Sequence, residues 1–121
     1  MEKLKNLGYY NGTYNLIENM TVPMSDRVCW FADGVYDATA TRNGVIYCLD
    51  DHVDRFFNSA SMVEIEIPYT KDELKDLLKD LVSKVDTSVR MVKHFYTGRL
   101  QEVRMCLVIM SFLRKQKQIF G

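Results

Sequence analysis

Net charge is the first thing this sequence lacks: 16 basic residues balance 16 acidic ones over 121 positions. A chain without a basic surplus is a poor match for wholesale nucleic-acid or anionic-membrane binding, so neither partner is expected. Cysteine is scarce and odd in number. Cys29, Cys48 and Cys106 form no C-x-x-C pair, which argues against a zinc ribbon or a disulfide framework and points to the reducing cytoplasm. Histidine is limited to His52 and His94, with no second ligand at metal spacing, so no metal site is expected. The opening Met1-Glu2-Lys3-Leu4-Lys5 has no apolar run of the signal-peptide kind, and a stretch such as Cys106–Met110 is far too short to cross a bilayer. With two prolines and six glycines there are no linker-like tracts, and there are no internal repeats.

What is present reads as one domain with a real core: 47% of residues are apolar and 26% charged. Asn11-Gly12-Thr13 between Gly8-Tyr9-Tyr10 and Tyr14–Ile17 predicts a hairpin, because Asn-Gly accepts the positive φ of a tight turn. Pro23 and Ser25-Asp26 predict a loop. Gly34–Thr41 is rich in β-branched and aromatic residues, and Asn43-Gly44 joins it to Val45–Leu49 as a second hairpin. Asp50 or Asp51 can cap a helix running to about Ser61, with Val53, Phe56, Phe57 and Ala60 on one face. Glu64–Ile67 alternates like a short extended piece ending at Pro68. Thr70-Lys71-Asp72-Glu73 is a capping box. Behind it Leu74, Leu77, Leu78, Leu81, Val82 and Val85 form an apolar stripe, predicting a helix to about Lys84. Val89–Val92 starts another extended run, while Val103–Met110 suits a strand or a helix equally. The order of elements predicts an α+β fold, an antiparallel sheet with two helices on one face.

Spacing alone offers little chemistry. There is no G-x-S-x-G, P-loop or H-E-x-x-H. His52 reads first as a packed helix residue, and Arg55 first as the partner of Asp51 one turn earlier. The alternative for Arg55 is a two-point grip on a phosphate or carboxylate at the edge of an apolar face.

The ordered set Asp26-Arg27, Phe31-Ala32-Asp33-Gly34-Val35-Tyr36, Asn43-Gly44, Asp51-His52-Val53-Asp54-Arg55-Phe56 and Ser59-Ala60 resembles the N-terminal domain of class IV pyridoxal-phosphate aminotransferases. Ile67-Pro68-Tyr69-Thr70-Lys71-Asp72 is similar to the D-amino-acid (D-alanine) group of that family. The resemblance covers about residues 6–92. It implies the small N-terminal domain of the D-amino-acid aminotransferase-like fold, with pyridoxal 5'-phosphate as cofactor and amino transfer between a D-amino acid and a 2-oxo acid in a homodimer. It implies that Arg55 binds the cofactor phosphate, that Tyr36 lines the substrate side, and that His52 supports Arg55. Branched-chain aminotransferase, aminodeoxychorismate lyase and a non-catalytic dimerising domain remain alternatives. Ala32 stands where the family usually has Gly, and Asp37 where it usually has Glu. The family's Schiff-base lysine belongs to its large C-terminal domain. No lysine here matches that motif, so neither Lys93 nor Lys117 takes the role and no catalytic residue is assigned.

The pattern changes near residue 94. From His94 onward five basic residues face a single acidic one, Glu102, so residues 1–93 carry the compensating negative charge. The resemblance leads one to expect T-R-G-T and then R-x-H, and the written tail has neither. Read one base over, the codon junctions from Leu100 to Arg104 permit T-R-G-T, and those from Leu107 to Met110 permit R-N-H. The expectation is therefore a frameshift near His94–Tyr96. Residues 1–93 would be a truncated N-terminal domain, inactive alone, and 94–121 a tail outside the family pattern.

Overall fold

Each hairpin begins where the backbone must turn left-handed. In the computed structural model, which describes residues 6–42, 44–85, 91–99 and 103–111, Asn11 (φ 51°) and Gly12 (φ 103°) link β1 (Leu7–Tyr10) to β2 (Thr13–Asn15). Two successive positive φ values make the turn whose twist matches paired strands. Beyond a 3₁₀ turn at Ile17–Asn19, a five-residue helix α1 (Arg27–Phe31) occupies part of the expected loop. The Asp26 side chain accepts from the Val28 N–H at 3.0 Å and starts it. Ala32, at φ 52°, ends it.

β3 (Gly34–Arg42) pairs with β4 (Val45–Ile46) through the second predicted hairpin, whose Asn43 lies outside the described residues. The expected run to Leu49 stops short. Tyr47 is tied to β3 by its N–H to the Ala40 carbonyl (3.0 Å) and by the Thr39 hydroxyl to its own carbonyl (2.9 Å). Cys48 then turns left-handed and becomes the N-cap of α2 (Leu49–Met62) without a side-chain bond. Asp50 and Asp51, expected as caps, instead occupy the first turn, where their charge opposes the positive end of the helix dipole.

Glu64–Ile67 is not a strand. Glu64 is left-handed (φ 59°) and the Ile65 N–H returns to the Ala60 carbonyl at 2.9 Å. Its alternation still serves burial, since Ile65 and Ile67 enter the core. The predicted capping box is present, with Thr70 Oγ1 accepting from the Glu73 N–H (3.1 Å) and Glu73 from the Thr70 N–H (2.9 Å). It opens α3 (Lys71–Ser83).

The remaining strands are β5 (Met91–Arg99) and β6 (Val103–Ser111). β5 runs across the expected boundary at 93/94, and Val103–Met110 adopts the strand alternative. All pairs are antiparallel in the order β2-β1-β6-β5-β3-β4, so β6 sits between β1 and β5. The end of the tail, 112–121, lies outside the described residues.

The sheet and the two longer helices make an α+β fold. α2 lies on β3, and α3 packs on α2 and β6. Val53, Phe56 and Ala60 from α2 meet Leu74, Leu78, Leu81 and Val82 from α3 over Leu7, Tyr9 and Leu107 of the sheet. Each large side chain buried this way contributes about 1.5–3 kcal/mol. The hydroxyls of Tyr9 and Tyr69 share a hydrogen bond at 2.6 Å, closing the core beside the segment that leads into α3. Among the described residues no helix is long and apolar enough to cross a membrane.

Candidate functional site

Alternation along β3 sends successive side chains to opposite faces. Asp37, Thr39 and Thr41 are buried, whereas Tyr36 is 72% exposed. Asp37 shares a register row with Phe95, Leu107 and Tyr9. Leu107 and Tyr9 are core residues, so Asp37 places a carboxylate on the face that the helices cover. A buried carboxylate requires partners.

α2 supplies them. Val53 and Phe56 pin one face of the helix into the core. His52 and Arg55, three apart, therefore share the flank beside β3. Arg55 Nε donates to Asp37 Oδ2 at 2.7 Å and Arg55 Nη2 to Oδ1 at 2.7 Å, a two-point clamp. His52 Nδ1 lies 2.8 Å from the same Oδ1. Burial pushes the Asp37 carboxyl up, but the hydrogen bonds from Arg55 and His52 outweigh it and hold it below the usual carboxylate range. The bond to Asp37 in turn raises Arg55 further above its ordinary value.

An ionised carboxylate only accepts, so His52 Nδ1 carries its hydrogen toward Oδ1. The 3.1 Å approach of Arg55 Nη2 to Nδ1 is then two donors converging on one oxygen. The Asp37 side chain is 3% exposed and the Arg55 side chain 62%. The guanidinium thus bridges from a buried anion to the surface. Its Nη1 has no hydrogen-bond partner among the described residues, so the site can offer directed N–H donors to an anion.

The structure brings Arg55 and His52 together and pairs Arg55 with Asp37, not with Asp51 as the simpler helical reading had it. Tyr36 does not join them. It precedes Asp37 on the strand and so projects to the opposite face, and it makes no hydrogen bond to Arg55. Asp37 is the residue that sequence reasoning missed as part of the cluster. The available signal was an acidic side chain at an inward position of a strand otherwise lined there by Val35, Thr39 and Thr41. A shallow depression lined by Ile46, Cys48, Leu49, Asp50 and Lys79 lies at the start of α2 and includes neither Arg55 nor Tyr36. Among the described residues no group of three or more His, Cys, Asp or Glu gathers to hold a metal.

Comparison with known proteins adds a family. The model of amino-transferase class IV matches residues 34–116. A D-alanine aminotransferase of Listeria monocytogenes serotype 1/2a (strain 10403S) is 40% identical over 67 residues, 55% of this chain and 23% of that protein. A putative branched-chain-amino-acid aminotransferase of Methanocaldococcus jannaschii is 33% identical over 70 residues, 58% of this chain and 24% of that protein. The chain thus matches about a quarter of the length of these relatives. Among solved structures, an aminotransferase from Brucella abortus bound to the cofactor PLP superposes with a TM-score of 0.79 at 15% identity, covering 89% of this chain and 42% of that one. At that identity the likeness concerns the fold.

Proposed function

The chain belongs to the amino-transferase class IV family, and from that premise we propose that it is the small N-terminal part of a pyridoxal 5'-phosphate-dependent transaminase acting between a D-amino acid and a 2-oxo acid. The D-amino-acid assignment is supported by 40% identity to the D-alanine aminotransferase against 33% to the branched-chain relative. The cofactor assignment is supported by the donor chemistry of the site. An exposed guanidinium, anchored from behind and with Nη1 open, suits a phosphate group. That open edge of Arg55 is the observation that carries the proposal.

When bound, pyridoxal phosphate supplies an electron sink for the amino-acid α-carbon. The residues of this chain hold and orient. Arg55 donates to the phosphate, Asp37 fixes Arg55, and His52 Nδ1 completes the coordination of Asp37. Tyr36, on the opposite face of β3, lies on the substrate side. The intact protein works as a homodimer in the cytoplasm.

The 121 residues alone transfer no amino group, because the lysine that attaches the cofactor belongs to the large domain. The change of reading frame near His94–Tyr96 is part of the same proposal. It is supported by codon junctions that permit T-R-G-T and R-N-H in family order, and sequencing the gene across and beyond that point tests it.

Two measurements test the site. Pyridoxal phosphate titrated into the purified chain is expected to bind weakly, and Arg55→Ala to remove that binding while the circular dichroism spectrum stays unchanged. Unchanged binding in Arg55→Ala overturns the phosphate role. Amino transfer from D-alanine to a 2-oxo acid by the chain alone overturns the claim of inactivity.

A further inference from the structure

We infer that Asp37 is a positioning residue that selects which edge of the Arg55 guanidinium meets the anion, an inference that rests on the reading of Arg55 as an anion donor. A guanidinium has two edges able to make paired bonds to an oxyanion. One is formed by Nε and Nη2, the other by Nη1 and Nη2. Asp37 occupies the first completely, with Nε on Oδ2 and Nη2 on Oδ1, both at 2.7 Å. Only the end edge remains, with one N–H from each Nη nitrogen. An incoming tetrahedral anion is therefore gripped end-on by Arg55, and a side-on approach is closed.

The burial contrast says which partner directs the other. Asp37 is fixed on β3 with its side chain 3% exposed, while Arg55 is 62% exposed and, without Asp37, would sample many rotamers. Ordering a side chain of this kind on binding opposes association, and Asp37 orders it beforehand. His52 Nδ1, 2.8 Å from Oδ1, stops the carboxylate from rotating away. Asp37 and Arg55 cancel in charge. The site then attracts an anion by directed donors, not by net positive charge.

This separates the inference from simple electrostatics. Asp37→Asn makes the chain more positive by one unit, so a charge-only site would bind anions more tightly. The amide also places an NH₂ group against the arginine donors, so the side-on clamp is lost and the guanidinium is released. The expected result is that Asp37→Asn weakens binding of inorganic phosphate about two- to tenfold, which corresponds to one immobilised side chain. Asp37→Glu, which keeps the carboxylate, restores part of the affinity.

A second readout needs no ligand. In ¹⁵N-resolved spectra of the full chain, the Arg55 Nε–H is expected to be sharp and slow to exchange with water, and to lose both properties in Asp37→Asn. If Arg55→Lys leaves phosphate binding unchanged, the anion reading of Arg55 fails. If phosphate binding depends on Arg55 but Asp37→Asn binds it as well or better, or if the wild-type Arg55 Nε–H exchanges as fast as that of an unpaired arginine, positioning by Asp37 is overturned.

Discussion

Phe56 and Phe57 are neighbours in sequence, and their substitution by alanine gives opposite expectations. Phe56 is 0% exposed at the centre of the α2 face that meets α3 and the sheet. Phe57 only borders the core, with the Lys71 ammonium 5.9 Å from its ring centroid. The rings meet edge-on at 6.4 Å. Removing a fully buried phenylalanine side chain from water contributes about 1.5–3 kcal/mol. Alanine substitutions of such residues cost about 3–5 kcal/mol because the cavity relaxes only in part. Phe56→Ala is therefore expected to cost about 4 kcal/mol and Phe57→Ala about 1 kcal/mol. Urea unfolding followed by far-ultraviolet circular dichroism reads the difference. With a slope of about 2 kcal/mol/M, the midpoint falls by about 2 M for Phe56→Ala and about 0.5 M for Phe57→Ala. Equal shifts, or a larger one for Phe57→Ala, would refute the assignment of the α2 face. The position of Arg55 beside β3 would fall with it, because the same helix rotation sets both.

Three further outcomes follow from single contacts. Asp37 titrates lower in the folded chain than unfolded, so its contribution to stability is full above the unfolded value near 4 and is lost as pH falls through the lowered folded value. Midpoints measured from pH 6 to pH 2 should show Asp37→Asn with a shallower acid loss than wild type, and identical slopes would exclude Asp37 as a contributor. Thr70→Ala removes one half of the capping box and is expected to cost about 1 kcal/mol by thermal melting, with Thr70→Ser near wild type. A Cβ at Gly8 would collide with the sulfur of Met20. Gly8→Ala should therefore lower the melting temperature, Met20→Ala added to it should recover part of the loss, and additive losses would show that the collision is not the cause.

The sequence by itself determined the features whose energies are local. Asn11-Gly12 turns because two successive residues tolerate positive φ, Thr70 and Glu73 cap α3 across three positions, and the apolar spacing of α2 and α3 fixes which face each buries. The ordered motifs from Asp26 to Ala60 likewise carry the family, since each is a short string. Tertiary structure alone decided what depends on distant partners. Arg55 pairs with Asp37, eighteen positions away, and not with Asp51 one turn back. A buried carboxylate must find donors, whereas an exposed Asp51 is already satisfied by water. Strand β6 enters between β1 and β5 because pairing completes its backbone hydrogen bonds and buries Leu107, a choice invisible to periodicity in Val103–Met110. Glu64–Ile67 alternates like a strand, but with the Ile65 N–H returned to Ala60 it serves the core as a loop.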